Sequence, residues 1–511
     1  MNNIYKSAII LMLVTIISKI LGFGREVVLA SYYGTSIYSD AYITAFNIPT
    51  LVFIPFATAI GIAVTPLYFS IKAEKGESAS LEYLNNTINL TLIISILLIL
   101  LVSIFPEVFV KTTAYGFEGE VLQLTVDYVR IMVWSIPFIG LANILTSYLQ
   151  IKNKFSITGL IGVPYNIILI ASIILSTKYG YPILGFGSLL ALAGNFIFLY
   201  PFARKEGYKY VFRMNIHDEN IKKMIWLVSP VLIGVGVNQI NGIVDRTMAS
   251  TLAEGSISAL NYADRLTSLI SGVLIVPIGS VIYPKLSEIS SNKNVGQFNE
   301  IISRSINIVI MFLIPITIGF IILAEPIIKV LFERGSFDIN ATEMTKSALI
   351  FYSIGIIGFG LRDILGKIYY SLQDTRTPMI NGVIAMTLNI ILNIILAQCM
   401  GHSGIAFATS ISSLITVILL IINLKVKLKQ LDFSKIKLFL FKSLVSAIVM
   451  GIFVSISYSF MVESLAATIG GNFLSLILAV FIGIFVYFGL LKLLKADELN
   501  NISDIFKFSK R

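Results

Sequence analysis

Long apolar runs, separated by short polar or glycine- and proline-bearing stretches, are the dominant pattern along this chain. A helix needs about 20 apolar residues to cross the ~30 Å hydrocarbon layer of a membrane. Fourteen runs meet that length, and they cover 8–32, 39–70, 87–110, 121–149, 156–177, 182–203, 222–249, 257–284, 303–331, 343–371, 378–399, 403–424, 438–461 and 471–493. The pattern therefore predicts an all-α polytopic membrane protein with about 14 transmembrane helices.

The composition excludes a soluble globular protein. Hydrophobic residues make up 56% of the 511 residues and charged residues only 13%, against about 25% charged in a typical soluble chain. The mean hydropathy is +0.87. A single cysteine, Cys399, excludes an intramolecular disulfide framework, and with only two histidines it also argues against a structural zinc site.

Positive residues lie mostly in alternate connections between the apolar runs. If the N-terminus is cytoplasmic, 27 of the 38 Lys and Arg residues fall in cytoplasmic segments and 5 in external ones. Because such residues accumulate on the cytoplasmic side, the bias predicts a multi-pass protein of the cytoplasmic (inner) membrane with both termini inside. The net charge of +10 is then an orientation signal and not a sign of nucleic-acid binding.

The chain contains an internal repeat. Residues 149–169 match residues 372–392 without a gap at an offset of 223, with nine identities that include Gln150/Gln373, Gly159/Gly382 and Asn166/Asn389. A second echo has an offset of 221, because Arg25 precedes Gly34 by nine residues and Arg246 precedes Gly255 by nine. An offset of six helices predicts two parallel repeats, with a central site between them.

The repeat divides the chain into four predicted parts. They are an N-terminal six-helix lobe (1–203), a basic cytoplasmic linker (204–223), a C-terminal six-helix lobe (224–424) and two further helices with a cytoplasmic tail (425–511). The two extra helices, 438–461 and 471–493, carry few polar residues. Two interpretations stay open for them: packing against lipid, or a groove for a long acyl chain.

The six remaining Lys and Arg residues are assigned to the membrane spans themselves: Lys19, Arg25, Arg130, Arg246, Arg265 and Arg362. A charge at the centre of a transmembrane helix costs ~2.5–3.5 kcal/mol on the insertion scale, so these side chains are expected to face water or a partner. Arg130 also fits an arginine that reaches the membrane surface. Together with Asp40 and Asp264, the other five predict a central cationic cavity for an anionic substrate such as a phosphate or pyrophosphate.

A second group of polar residues carries oxygen atoms within apolar runs: Asp245, Asn389, Asn393 and Thr409. Carboxylate, amide and hydroxyl oxygens suit a hard cation such as Na⁺. Polar side chains also form hydrogen bonds between helices in membrane bundles. A cation site and interhelical hydrogen bonding remain equally open at this point.

Four stretches place charged residues within or beside apolar runs: SKILGFGRE (18–26), SDAY (39–42), NYADRL (261–266) and SLQDTRTP (371–378). Together they resemble the MurJ/MviN family, the lipid II flippases of the multidrug/oligosaccharidyl-lipid/polysaccharide exporter superfamily. The resemblance covers nearly the whole chain and implies a 6+6+2 arrangement of helices. It implies cavity cations at Lys19, Arg25 and Arg265, with Asp40 as an acidic gate partner.

Three positions depart from the family pattern. Lys19 stands where arginine is usual, and Asn393 stands where an acid is usual. The sequence IPTLVF at 48–53 lacks the arginine that the family carries in helix two. Arg246 or Arg362 would compensate for that missing charge, or the substrate differs.

The resemblance implies translocation of an undecaprenyl-pyrophosphate-linked peptidoglycan precursor, lipid II, from the inner to the outer leaflet by alternating access. Membrane lipids and other cell-wall synthesis proteins are the expected partners. We expect no enzymatic activity and no cofactor, with Na⁺ or H⁺ as a coupling ion. The alternatives are a flippase for another undecaprenyl-linked glycan, a multidrug/cation antiporter, and a non-transporting protein of envelope or spore synthesis.

Overall fold

A computed structural model describes residues 2–212, 214–215, 218–291, 295–428, 433–464, 469–496 and 498–499. Every regular element in these ranges is a helix. The α-helices are α1 (Asn2–Tyr33), α2 (Ile37–Ile104), α3 (Pro106–Thr113), α4 (Gly119–Met132), α5 (Ile136–Ile151), α6 (Phe155–Leu160), α7 (Gly162–Tyr179), α8 (Pro182–Lys205), α9 (Glu219–Ser250), α10 (Ser256–Ile270), α11 (Val276–Ser291), α12 (Val295–Ile322), α13 (Ala324–Leu331), α14 (Ile339–Ser371), α15 (Arg376–Met400), α16 (His402–Lys427), α17 (Phe433–Ser464) and α18 (Ile469–Leu493). A 3₁₀ turn joins α4 to α5, and a π-helical turn (Ser271–Ile275) joins α10 to α11.

Eleven helical segments in the described part of the chain are long and apolar enough to cross a membrane. One of them is the 68-residue α2, which Gly76 divides because its backbone leaves the helical region there (φ 84°, ψ 176°). The all-α membrane fold is therefore confirmed. The count of fourteen spans stays a prediction.

Burial distinguishes central spans from peripheral ones. The most apolar window of α14 is 61% buried, whereas that of α15 is 22% buried. The exposed side of α15 carries large aliphatic residues such as Ile391 and Ile395. Because lipid tails solvate such side chains, α15 is a lipid-facing helix and α14 is a structural centre.

The chain forms two compact units. The first contains Met1–Ser258 with Arg334–Phe337, and the second contains Ala259–Glu333 with Asp338–Arg511. Aliphatic residues of α2, α5 and α8 pack around three buried tyrosines in the first unit: Tyr68, Tyr148 and Tyr208. These units are defined by contacts and the predicted lobes by sequence repetition, so the lobe boundaries stay a prediction.

The two helices beyond the repeats belong to the core of the second unit. Tyr487 of α18 is fully buried, and its hydroxyl donates to the carbonyl oxygen of Met311 in α12 (2.9 Å). The hydroxyl of Ser443 in α17 lies 2.7 Å from the same tyrosine oxygen. A tyrosine hydroxyl buried among apolar side chains needs such partners, so this contact ties α17 and α18 to α12.

Helix ends recur along the chain at a constant interval. Gly34 and Gly255 have positive φ angles of 56° and 83°, and Gly180 and Gly401 have φ angles of 93° and 59°. Both pairs are 221 residues apart, which is the offset of the second sequence echo. The gapless match at an offset of 223 is thus two residues out of register with these turns.

Three asparagines of α2 hold the connection between α8 and α9: Asn85, Asn86 and Asn89. Asn86 donates to the carbonyl oxygen of Asn215 (2.8 Å) and accepts from its backbone N–H (3.0 Å). Asn85 donates to the carbonyl oxygen of Lys209 (3.0 Å). The connection has no regular structure at 208–212 and 214–215, so these side chains satisfy part of its backbone.

Replacing Asn86 by leucine is expected to release the connection, because both bonds to Asn215 are lost while side-chain volume is nearly kept. The leucine removes two hydrogen bonds, each of which contributes about 0.5–1.5 kcal/mol. Trypsin cleavage after Lys209 in detergent-purified protein should therefore accelerate. Asn143→Leu is the matched control, because the exposed Asn143 bonds only a carbonyl of its own helix. Equal cleavage rates in both variants would contradict the assignment.

Asp374 fixes the turn between α14 and α15. Its carboxylate accepts from Lys427 (2.8 Å) and from the backbone N–H of Thr377 (3.0 Å). The Lys427 ammonium, followed by that N–H, lowers the pKa of Asp374 from 3.8 to about 2. A carboxyl whose pKa is lowered by folding stabilises the folded state above its ordinary pKa and loses that contribution as the pH falls.

The melting temperature of Asp374→Asn should therefore lie below that of the wild type at pH 7, and the gap should shrink by pH 3. Asp127→Asn provides the comparison, because the Asp127 side chain is 54% exposed and its partner Arg130 lies 3.8 Å away. Thermal unfolding in detergent at the two pH values measures both variants. A gap for Asp374→Asn that does not change with pH would refute this role of the carboxylate.

Candidate functional site

Arg25 is held inside the first unit by three neighbours. It pairs with the carboxylate of Glu26, its Nη1 lies 3.4 Å from the amide oxygen of Asn166, and its guanidinium carbon lies 5.8 Å from the centre of the Tyr165 ring. The Arg25 side chain is 15% exposed and that of Glu26 is 5% exposed. The charge of Arg25 is therefore balanced by its sequence neighbour, and its direction is set by α7.

Helix α1, which carries Lys19, is held in place by hydrogen bonds to α6 and α7. The hydroxyl of Ser18 donates to the carbonyl oxygen of Gly159 in α6 (3.2 Å). The amide of Asn166 donates to the carbonyl oxygens of Gly162 (2.7 Å) and Ser18 (3.4 Å). Lys19 follows Ser18 directly and is half-buried. These bonds set the rotation of α1, and with it the direction in which Lys19 leaves the helix.

The other predicted cations lie in different surroundings. Arg246 is half-buried near the end of α9, in the first unit. In the second unit, Asp264 and Arg265 are exposed on α10, and Arg362 is exposed on α14 with its guanidinium carbon 6.0 Å from the centre of the Phe359 ring. Exposed charges on membrane-spanning helices face water or a ligand rather than lipid, because hydrocarbon would penalise them.

Asp40 binds backbone rather than a cation. It is 5% exposed, and its two carboxylate oxygens accept from the N–H groups of Gly255 (2.9 Å) and Ser258 (2.7 Å). Helix α10 begins at Ser256, so the carboxylate caps the positive end of that helix and satisfies two of its unpaired donors. Asp40 thereby ties the start of α2 to the start of α10.

Glycines allow backbone segments to meet around this cap. An added Cβ at Gly34 would collide with the carbonyl oxygen of Ser336, and one at Gly116 would collide with that of Ser250. Hydrogen bonds close the same contacts: the N–H of Ser336 donates to Ser31 (2.8 Å) and that of Gly116 to the Ser250 hydroxyl (2.9 Å). We call residues 31–40, 112–116, 247–258 and 334–337 the closed end. All of them belong to the first unit.

Three of the four predicted cation ligands lie together in the second unit. The Asn389 amide donates to the Thr409 hydroxyl (3.3 Å), and the Asn393 amide donates to the Asn389 oxygen (3.1 Å). Asn389 and Asn393 are 1% and 0% exposed. Asp245, the fourth, belongs to the first unit. Among the residues that the structure describes, no group of three His, Cys, Asp or Glu side chains could hold a metal.

An apolar groove of about 480 Å³ runs between α12 and α17. Its walls are formed mainly by Ile318, Ile322, Ile448, Gly451, Ile452 and Ile456. Gly451 brings the helices close, because an added Cβ there would meet the side chains of Ile318 and Ile322. The groove suits an extended hydrocarbon chain, and α17 supplies one wall of it.

Sequence reasoning missed several of these contacts. The closed end uses Gly116, Gly335 and Ser336, whose only visible signal is a glycine placed between apolar runs. The pairing of Arg25 with Glu26 is also unexpected, because neighbours on a helix point about 100° apart. Asp40 was found, but its role as a cap depends on where α10 begins.

Comparison with known proteins places these features in a family. The family model for the lipid II flippase MurJ matches residues 29–478. A probable lipid II flippase MurJ of Vibrio cholerae is 32% identical over 441 residues, covering 82% of each chain. One of Buchnera aphidicola subsp. Baizongia pistaciae is 32% identical over 424 residues, covering 82% of this chain and 83% of the relative.

Solved structures agree. A lipid II flippase MurJ in an inward closed conformation superposes with a TM-score of 0.81 at 30% identity, covering 96% of this chain and 100% of that one. An inward-facing multidrug resistance MATE transporter has a TM-score of 0.69 at 14% identity, covering 83% and 98%. The second likeness concerns the fold alone. The family-model match over residues 29–478 and the two relatives at 32% identity establish that this chain belongs to the lipid II flippase MurJ family.

Proposed function

We propose that this protein moves lipid II from the inner to the outer leaflet of the cytoplasmic membrane by alternating access. The observation that carries the proposal is the family match over residues 29–478 in a chain whose membrane helices expose Arg265 and Arg362. Lipid II joins a charged pyrophosphate to a long hydrocarbon tail. Its carrier therefore needs cations within the membrane and an apolar path beside them.

The pyrophosphate is proposed to meet Arg265 and Arg362 of the second unit. Arginine offers two parallel N–H donors to a phosphate, whereas lysine acts as a point charge. Arg25 is bound by Glu26 and Asn166, so it contributes chiefly by holding the position of α1. This division of roles would offset the missing arginine at 48–53.

The undecaprenyl tail is proposed to lie in the groove between α12 and α17. The groove is open and lined by isoleucines, of which Ile452 and Ile456 are 55% and 65% exposed. A hydrocarbon chain there would stay in contact with the lipid layer while its headgroup crosses. This supports the interpretation of α17 as part of an acyl groove.

We further propose that both termini are cytoplasmic and that the closed end is external. The Lys and Arg bias supports this orientation. The solved relative that superposes over 96% of the chain bears the description inward closed, which suits a protein whose external end is shut. A coupling ion, Na⁺ or H⁺, stays a proposal, with Asn389 and Thr409 as oxygen ligands for Na⁺.

Arg265→Ala is expected to reduce lipid II in the outer leaflet at least about tenfold, because a hydrogen bond to a charged group contributes about 1.5–3 kcal/mol. The measurement is outer-leaflet lipid II in cells depleted of their own flippase and expressing this chain. Arg130→Ala is the matched control, since that side chain is 58% exposed beside Asp127. If the wild type is inserted and stable but restores no lipid II, the proposed function is wrong.

Gly116→Ala is expected to open the external end, because the added Cβ would collide with the backbone of Ser250. The reporter is Thr44→Cys in a Cys399→Ser background, since Thr44 is fully buried one turn after Asp40. Labelling by an impermeant maleimide added outside the cells should rise several-fold. Gly382→Ala is the control, because an added Cβ there meets nothing within 4 Å. Unchanged labelling in an inserted Gly116→Ala protein would rule out this seal.

A further inference from the structure

Lys367 lies within the membrane-spanning helix α14, four residues before its end. Its ammonium lies 2.6 Å from a carboxylate oxygen of Asp363, one turn earlier. The Lys367 side chain is 22% exposed and that of Asp363 is 44% exposed. The pair is therefore accessible from the protein surface although it belongs to a span.

Gly279 of α11 leaves the space that the ammonium of Lys367 occupies. We call this contact between Gly279 and Lys367 the seat. An added Cβ at position 279 would overlap Nζ of Lys367 and come within 2.8 Å of its Cε. Any other residue at that position would therefore push the ammonium away from the backbone of α11. A lysine and an aspartate at i and i+4 pair on an isolated helix without such a seat. The glycine accordingly leaves room for the ammonium to lie against the backbone of α11, which an ion pair on an isolated helix does not need.

Side chains with hydroxyl groups lie one turn or less from Gly279 and Lys367 along their helices. Tyr283 follows Gly279 by one turn on α11 and is 40% exposed, and Tyr370 follows Lys367 on α14 and is 47% exposed. Ser280 is exposed beside Gly279, and its hydroxyl donates to the carbonyl oxygen of Pro277 (2.7 Å). Hydroxyl donors and an ammonium on neighbouring helices suit the oxygen atoms of a phosphate.

A purely structural ion pair explains less. An exposed pair of this kind contributes about 0–1 kcal/mol, so it gives little reason to keep two charges on a membrane helix. An ammonium that is seated but still accessible can exchange its carboxylate for another anion. Asp363 would hold the charge when no ligand is present.

We propose that Lys367, seated over Gly279, is a further anion-binding residue that contacts a pyrophosphate oxygen of the lipid-linked substrate at the α14 end near Ser371. This inference rests on the proposed function. In that arrangement Arg265 and Arg362 lie farther from this end of the helices, and Lys367 is the first of the three cations that a headgroup meets from the cytoplasm. Its ammonium leaves Asp363 as the phosphate binds.

The test compares lipid II binding to three purified variants in nanodiscs. Gly279→Ala keeps the charge but displaces the ammonium, and Lys367→Gln removes the charge. Gly366→Ala is the matched control, because an added Cβ on the same helix meets only Cε2 of Tyr370, at an ordinary contact distance of 3.9 Å. We expect the first two variants each to weaken binding about tenfold, or about 1.4 kcal/mol, and the control to bind like the wild type.

Combining the two changes separates a shared role from two independent ones. If both act on one ammonium, the double variant Gly279→Ala/Lys367→Gln should bind no worse than Lys367→Gln alone. If the binding losses of the two single variants multiply in the double variant, Gly279 acts elsewhere, and the proposed contact with Lys367 is wrong. The melting temperature of each variant checks that the fold is kept.

Measuring the binding of two lipids, lipid II and phosphatidylglycerol, separates this inference from the proposed function. Wild-type binding of lipid II that neither Gly279→Ala nor Lys367→Gln weakens would overturn the inference and leave the flippase intact. A wild type that ignores lipid II but binds phosphatidylglycerol through Lys367 would keep the anion seat and overturn the lipid II assignment. Wild-type protein that binds neither lipid would overturn both.

Discussion

The hydrocarbon layer offers no water to polar groups, and this constraint shapes the rest of the structure. Backbone groups meet it by forming helices, and charged side chains meet it in two ways. Arg25 is enclosed, with Glu26 and Asn166 taking the place of water. Arg265 and Arg362 are instead exposed on their helices, where water or an anion can reach them. The enclosed cation holds a helix in place, and the exposed ones are accessible to a ligand.

The contacts within the closed end hold its segments together at a free energy that ligand binding can overcome. Its contacts include hydrogen bonds to backbone groups, among them those that Gly255 and Ser258 donate to Asp40, beside buried apolar side chains such as Phe337. Such bonds contribute about 0.5–1.5 kcal/mol each, so a handful amounts to a few kcal/mol. A ligand that binds one conformation 10²- to 10³-fold better shifts an equilibrium by a comparable amount. Glycines at the contacts place no side chain between the backbone segments, so none has to move when the segments separate.

The sequence predicted what depends on composition and periodicity. The long apolar runs identified the membrane helices, and the charges within them identified Lys19, Arg265 and Arg362 as unusual. It could not predict which segments meet across long separations. The contact of Gly116 with Ser250, the bond of Asn86 to Asn215 and the seat of Lys367 over Gly279 leave no periodic signal. Each depends on the mutual position of helices that tens of residues separate along the chain.

The internal repeat has a limit of the same kind. Asn166 and Asn389 are matched in the sequence, and both are buried on a membrane helix. Asn166 lies against Arg25, whereas Asn389 bonds to the uncharged Thr409 and Asn393. One asparagine therefore lies against a cation, and the other bonds to a hydroxyl and an amide. A repeated residue predicts a repeated place in the helix, but its chemistry follows from the partner on the next helix, which the two repeats do not share.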